Sequence, residues 1–142
     1  MSDEIERLLD EYELVERNRI EAIAQARRAA EQFDEDFRKW AEHTAWPTLE
    51  PIAEQFRTRD EFNAEVRAEG RTVRFSFTVR QSEGTIGKRG EVAFTPDTGS
   101  QSVTVIQVVL NRNTEERQPL SSLSADAIRE QVLIVTKSAL GL

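Results

Sequence analysis

No proline or glycine interrupts the first 46 residues; the first break is Trp46-Pro47-Thr48. A run of that length, free of the two strongest helix breakers, leaves a long helix or disorder as its options, and the apolar pattern decides between them. Ile5, Leu8, Tyr12, Val15, Ala22, Ala26, Ala29, Phe33, Phe37 and Trp40 recur in steps of three and four, with Arg19 interrupting the stripe. The spacing predicts one long acidic amphipathic helix over 1–46, or two helices with a bend near Phe33, capped by Ser2 with Asp3 and Glu4 in the first turn. Glu13/Arg17, Asp34/Arg38 and Glu35/Lys39 stand in the favourable i, i+4 order on its polar side. The stripe opens with a heptad step and then drifts through Ala26, Ala30, Phe33, Phe37 and Trp40. That drift suits a straight helix, and Arg19 with the alanines makes a weak coiled-coil seam, so a long two-stranded coiled coil is not expected. The expectation is a helix that overhangs its own domain, with a partner covering the overhang.

Pro47 is expected to end this helix. Thr48 then caps a short second helix over 48–58, with Pro51 in its first turn and Leu49, Ile52, Ala53 and Phe56 on one face. A strict two-residue alternation follows. Phe62, Ala64, Val66 and Ala68 interleave with polar residues, as do Val73, Phe75, Phe77 and Val79. These are the two arms of a β-hairpin, expected to set Val66 opposite Val73 and Glu65 opposite Arg74 around Glu69-Gly70 or a turn over 68–71. Residues 81–90 read as a polar loop, 91–95 as a third strand, Pro96-Asp97-Thr98-Gly99 as a turn and 102–110 as a fourth strand. The fourth strand is apolar on both faces, with Val103, Val105 and Val109 on one and Ile106, Val108 and Leu110 on the other, which predicts cover on both sides. Residues 111–122 read as a loop. Ser124 caps a last helix over 124–140, flanked by the staple pair Leu123 and Ile128 and stopped by Gly141. The predicted fold is a single α+β domain over 1–142, ααββββα, with a four-stranded antiparallel sheet over 61–110.

Charge and composition narrow the function classes. The net charge is −7, and residues 1–46 carry 13 acidic against 7 basic side chains, whereas residues 60–112 balance at seven each. An acidic field repels phosphate backbones, so no nucleic-acid partner is expected. No apolar run approaches the roughly 20 residues of a membrane span. The opening Met1-Ser2-Asp3-Glu4 lacks the basic and apolar regions of a secretion signal, and cysteine is absent; both point to the cytoplasm.

Catalytic constellations are scarce. His43 is the sole histidine and belongs near a helix end, where its charge would complement the dipole. No paired histidine or Glu-x-x-His spacing accompanies it, and no Gly-x-Ser-x-Gly elbow or Walker loop occurs. The carboxylates of Asp34-Glu35-Asp36 point in different directions around a helix. Gly87-Lys88-Arg89-Gly90 is similar to the Gly-x-x-Gly loop of KH domains, but that loop joins two helices, whereas a strand follows here, so it reads as a basic hairpin loop. Arg67, Arg74 and Arg80 share the hairpin's polar face with Glu65. No catalytic residue, metal or cofactor is expected.

Apolar surface beyond what one copy can cover points instead to a non-enzymatic protein-interaction module of adaptor, chaperone-like or immunity type, self-associating as a homodimer. Its candidate surface is Ile5, Leu8, Tyr12, Val15, Phe37, Trp40 and Trp46, since large aromatic and aliphatic side chains dominate interface centres. The alternative is a small-ligand-binding protein or enzyme with a pocket between sheet and helices.

Overall fold

The computed structural model describes residues 2–80, 87–110 and 112–142. Helix α1 (Ser2–Trp40) runs into a π-helical turn (Ala41–Ala45) and then, without a break, into α2 (Trp46–Arg57). Pro47 therefore does not end the helix. A proline removes its own N–H and drives its ring toward the carbonyl four residues earlier. Widening the turn before it relieves that crowding: the Trp46 N–H reaches back five residues to the Ala41 carbonyl. Thr48, expected as a cap, is instead buried inside the continuous helix.

Five strands follow in a simple antiparallel meander, β1 (Phe62–Glu69), β2 (Thr72–Val79), β3 (Arg89–Asp97), β4 (Ser102–Val109) and β5 (Arg112–Gln118), each paired only with its chain neighbours. The first hairpin puts the expected residues on the expected face, but its register is displaced by two. Val66 lies opposite Phe75, Ala68 opposite Val73, and Glu65 opposite Ser76 rather than Arg74. The turn explains the displacement. Gly70 takes φ +60° as the first central residue of a two-residue Gly70-Arg71 loop, the position where the hairpin-favoured type II′ turn wants glycine. A turn on Glu69-Gly70 would force the left-handed region on Glu69. An even displacement keeps every apolar residue facing the core, so nothing opposes it.

The fifth strand is absent from the sequence-based expectation. Arg112 to Gln118 contains no apolar residue, so it carries no hydrophobic alternation to read. It pairs with β4 along its whole length and closes the sheet with a charged edge, which resists pairing with other chains. A 3₁₀ turn (Leu120–Ser122) leads to α3 (Ala125–Leu140). Ser124 Oγ accepts the Ala127 N–H at 3.2 Å, Leu123 and Ile128 are both buried, and Gly141 ends the helix at φ +73°. The expected loop at 81–86, the start of the loop at Asn111 and the capping side chain of Ser2 lie outside the described residues.

The helices lie on one face of the sheet. α2 covers β1 and β2, α3 covers β3 and β4, and the two helices touch. Phe75, Phe77, Val92, Phe94, Val103 and Val105 meet Leu49, Ala53, Ile128, Val132 and Val135 between the layers, and Phe56 stacks on Phe77 with ring centroids 4.9 Å apart. The opposite face of the sheet is uncovered. Ile106 and Val108 are half-exposed there, beside ion pairs such as Arg74–Glu69 (3.1 Å) and Arg67–Glu65 (3.0 Å). The two-sided cover predicted for the fourth strand is therefore not provided by this chain.

Where β3 crosses beneath α3 there is room for no side chain at Gly90: a Cβ there would stand 2.6 Å from Phe77 and 2.7 Å from Val135. Both neighbours are buried on either side of the layer, so neither can swing away. Gly90→Ala is expected to lower unfolding free energy by about 1–3 kcal/mol, the usual cost of an overpacked core, measured by denaturant titration; Gly141→Ala, where a Cβ meets open space, would act through its φ alone.

Candidate functional site

Most of the exposed large apolar side chains among the described residues stand on α1, and how far the helix runs explains why. Its C-terminal turns carry Phe33, Phe37 and Trp40, all buried. Trp40 meets Phe94 edge-on at 5.4 Å, and its Nε1 donates to the Leu123 carbonyl at 2.7 Å, which satisfies the polar atom that burial would otherwise orphan. N-terminal to Phe33 the helix leaves the body. Residues 2–32 project as an arm of about 45 Å at 1.5 Å per residue. Ile5, Leu8, Leu9, Tyr12, Leu14, Val15 and Ile20 are each more than half exposed along it, and Ile23 nearly so. Six of these, Ile5, Leu8, Leu9, Tyr12, Val15 and Ile23, share one stripe, whereas scattered single apolar residues on a surface are ordinary.

The structure divides the seven candidate residues. Ile5, Leu8, Tyr12 and Val15 share one face of the arm and are 61–65% exposed. Phe37 and Trp40 belong to the chain's own core. Trp46 is 38% exposed at the junction of the π turn with α2, away from the arm. Leu9 and Ile23, absent from the candidate set, extend the arm's stripe at the same helical phase; the spacing of Leu9 to Ile5 (four) and Tyr12 (three) and of Ile23 to Ala26 (three) was the available signal.

A polar clamp fixes the arm's root. Asp34 accepts hydrogen bonds from Thr98 Oγ1 (2.8 Å) in the β3–β4 turn and from Arg71 in the β1–β2 turn, while Arg71 also donates to Thr98 Oγ1 at 3.0 Å. Asp34 thus leaves the i, i+4 partner expected for it, and Arg38 pairs with Glu35 and Glu42 instead. The Thr98 hydrogen bond holds the Asp34 carboxyl below its ordinary range; partial desolvation opposes that, and Arg71 adds to it. Neither Arg71 nor Thr98 is recognisable from the sequence, because each is a turn residue brought to α1 only by the tertiary fold.

Beside the clamp lies a groove of about 580 Å³ between α1 and the hairpin turn, floored by Phe37, Ala41, Ala68 and Val73. Of its rim charges, Asp34 pairs with Arg71 and Arg38 with Glu35 and Glu42, while Glu31 also lines it. Elsewhere chemistry is equally sparse among the described residues. Thr48 is the only buried polar residue, no group of three potential metal ligands occurs, and His43 is a surface residue 3.9 Å from Glu42. Lys88 Nζ leans on the Leu140 carbonyl at 3.4 Å, and Arg89 begins β3, so Lys88 and Arg89 sit at a strand start. No described helix is long and apolar enough to cross a membrane. Comparison with protein families, curated proteins and solved structures gave no match.

Because the Asp34 pKa is lowered on folding, the clamp stabilises the fold above the carboxyl's ordinary value near 4 and is lost as pH falls through the lower folded value. Asp34→Asn should therefore be less stable than the wild type at neutral pH, with the gap closing as pH drops below about 4. Denaturant midpoints of the two proteins between pH 2 and pH 7 provide the test.

Proposed function

We propose that this protein is a non-enzymatic interaction module whose binding element is the exposed arm of α1. One observation carries the reading: eight large apolar side chains stand along a helix that the rest of the chain leaves bare. A helix in water with a free apolar stripe gains by laying it against another surface, the helix-in-groove or coiled-coil mode of recognition. The body supports this use. Its own core is complete without the arm, and the Asp34–Arg71–Thr98 clamp holds the arm at a fixed angle for presentation.

The alternative, a ligand-binding protein or enzyme with a pocket between sheet and helices, draws less support. The space between the layers is filled by phenylalanine, valine, leucine and isoleucine side chains. The groove at the arm's root is apolar with self-paired charges at its rim, whereas ligand sites set a few free polar groups in an apolar wall.

The full-length Leu8→Glu/Val15→Glu double variant is the direct test. Both positions are exposed, so the unfolding free energy of the body should change by no more than about 0.5 kcal/mol. Light scattering of the purified protein and size fractionation of native extract should together show species heavier than the 16.2 kDa chain that the double variant loses. Identical migration of wild type and variant in both settings would overturn the reading.

A further inference from the structure

The partner of the arm can be read from the arm itself. Divided at its midpoint, the arm has two halves of opposite charge. Residues 3–16 hold seven acidic side chains and one basic, and residues 17–30 hold four basic and one acidic. The same division separates large from small on the stripe. Ile5, Leu8, Leu9, Tyr12 and Val15 occupy the first half; Ala22, Ala26, Ala29 and Ala30 occupy most of the second, with Ile23 at its edge. A surface that is acidic and bulky at one end, basic and small at the other, is complementary to itself turned end for end.

We infer that the arm binds the arm of a second copy of this chain, antiparallel, about a two-fold axis at Arg17. This rests on the proposed reading of the arm as the binding element and names its occupant. In an antiparallel pair, seam positions of one helix face the alternate seam positions of the other. Only one simple register centres the charge division, and it sets Ile5 opposite Ala29 of the second copy, Leu8 opposite Ala26 and Tyr12 opposite Ala22. Each of these three bulky layers then meets an alanine, which lets the helices approach closely while the large side chains fill the space left by the small ones. Leu9 and Ile23 meet along one edge of the seam. Ser2 falls opposite Gln32, so the pairing stops short of Phe33, which enters the chain's own core.

Arg19, which breaks the stripe, has a place in this arrangement. It faces Val15 of the second copy and lies beside that copy's Glu16, while already holding its own Glu16 at 3.0 Å. Two arginines and two glutamates therefore alternate around the two-fold axis. A polar layer of this kind costs some stability and specifies register. The parallel alternative fails on the same residues. It would face Arg19 with Arg19, stack alanine on alanine through three successive layers, and lay two strongly acidic segments side by side. The seam weakness expected from Arg19 and the alanines is thus greater in the parallel pair, whereas the antiparallel pair keeps only the cost of its polar layer.

The chain has no cysteine, which makes the register directly testable. In the antiparallel pair, Leu8 of one copy lies in the same layer as Ala26 of the other, whereas the two Leu8 residues are about 27 Å apart along the axis at 1.5 Å per residue. Mild oxidation of mixed Leu8→Cys and Ala26→Cys full-length chains should give a disulfide-linked species of two chains. Each variant oxidised alone, and a Leu14→Cys control on the opposite side of the helix mixed with Ala26→Cys, should stay single. All three positions are exposed or carry a small residue on the bare arm, so the body folds in each, and wild-type light scattering should read twice the mass of one chain. Self-linking of Leu8→Cys would overturn the inference in favour of a parallel pair. A single-chain mass with no cross-link would overturn it outright. In that last case the proposed function still stands if native-extract complexes depend on Leu8 and Val15, and falls with it if they do not.

Discussion

The structure depends on one apolar stripe that serves two surfaces in succession. Phe33, Phe37 and Trp40 dock the C-terminal turns of α1 on the body, with Trp40 held by Phe94 and the Leu123 carbonyl. The stripe then continues in phase beyond the last residue the body can reach. Docking also accounts for the arm being helical. Helix formation is limited by its first turn, and here that turn exists already, packed on the sheet. Extension outward adds one hydrogen bond per residue, and the alanines between Ala22 and Ala30 extend a helix better than any other residue type. Ion pairs such as Arg19–Glu16 add small further support on the surface.

How the helix passes Pro47 was legible in principle. The buried positions run 33, 37, 40 and then 45, 49, 53, so between Trp40 and Ala45 the stripe takes one step of five. A step of five residues is the hydrogen-bonding period of a π turn. The proline drew attention as a breaker, whereas the apolar residues on either side of it remained on one continuous face. Periodicity across the proline was the stronger signal because burying that face is worth more than the local cost of a widened turn.

The sheet shows the same contrast between what an apolar pattern encodes and what it does not. Alternation in residues 62–68 and 73–79 identified two strands and the inward residue set. It left the register open by multiples of two, since any even displacement preserves the faces. Turn chemistry at Gly70 decided the matter, and a preference for glycine first in a type II′ turn is readable without coordinates. β5 is different in kind. Nothing in Arg-Asn-Thr-Glu-Glu-Arg-Gln alternates in hydropathy; β4 recruits it because its backbone donors and acceptors need partners. The clamp at Asp34 is likewise invisible beforehand, since its three residues stand 27 or more positions apart.

Ile5, Leu8, Tyr12 and Val15 could be placed on one helix face from the sequence because exposed and buried apolar stripes leave the same periodic trace on a helix. The stripe cannot say which part of it the body uses. That partition is set by the width of the sheet: α2 and α3 already cover β1 to β4, so only the last turns of α1 find apolar surface free. The remainder of the stripe takes no part in the chain's own core, which gives no packing reason to keep Ile5, Leu8, Leu9, Tyr12, Val15 and Ile23 in phase over about five turns. Propensity alone would be met as well by glutamate, lysine or glutamine at each position. Their alignment with one another, and with an opposed gradient of charge, is more than helix propensity or the packing of the body requires.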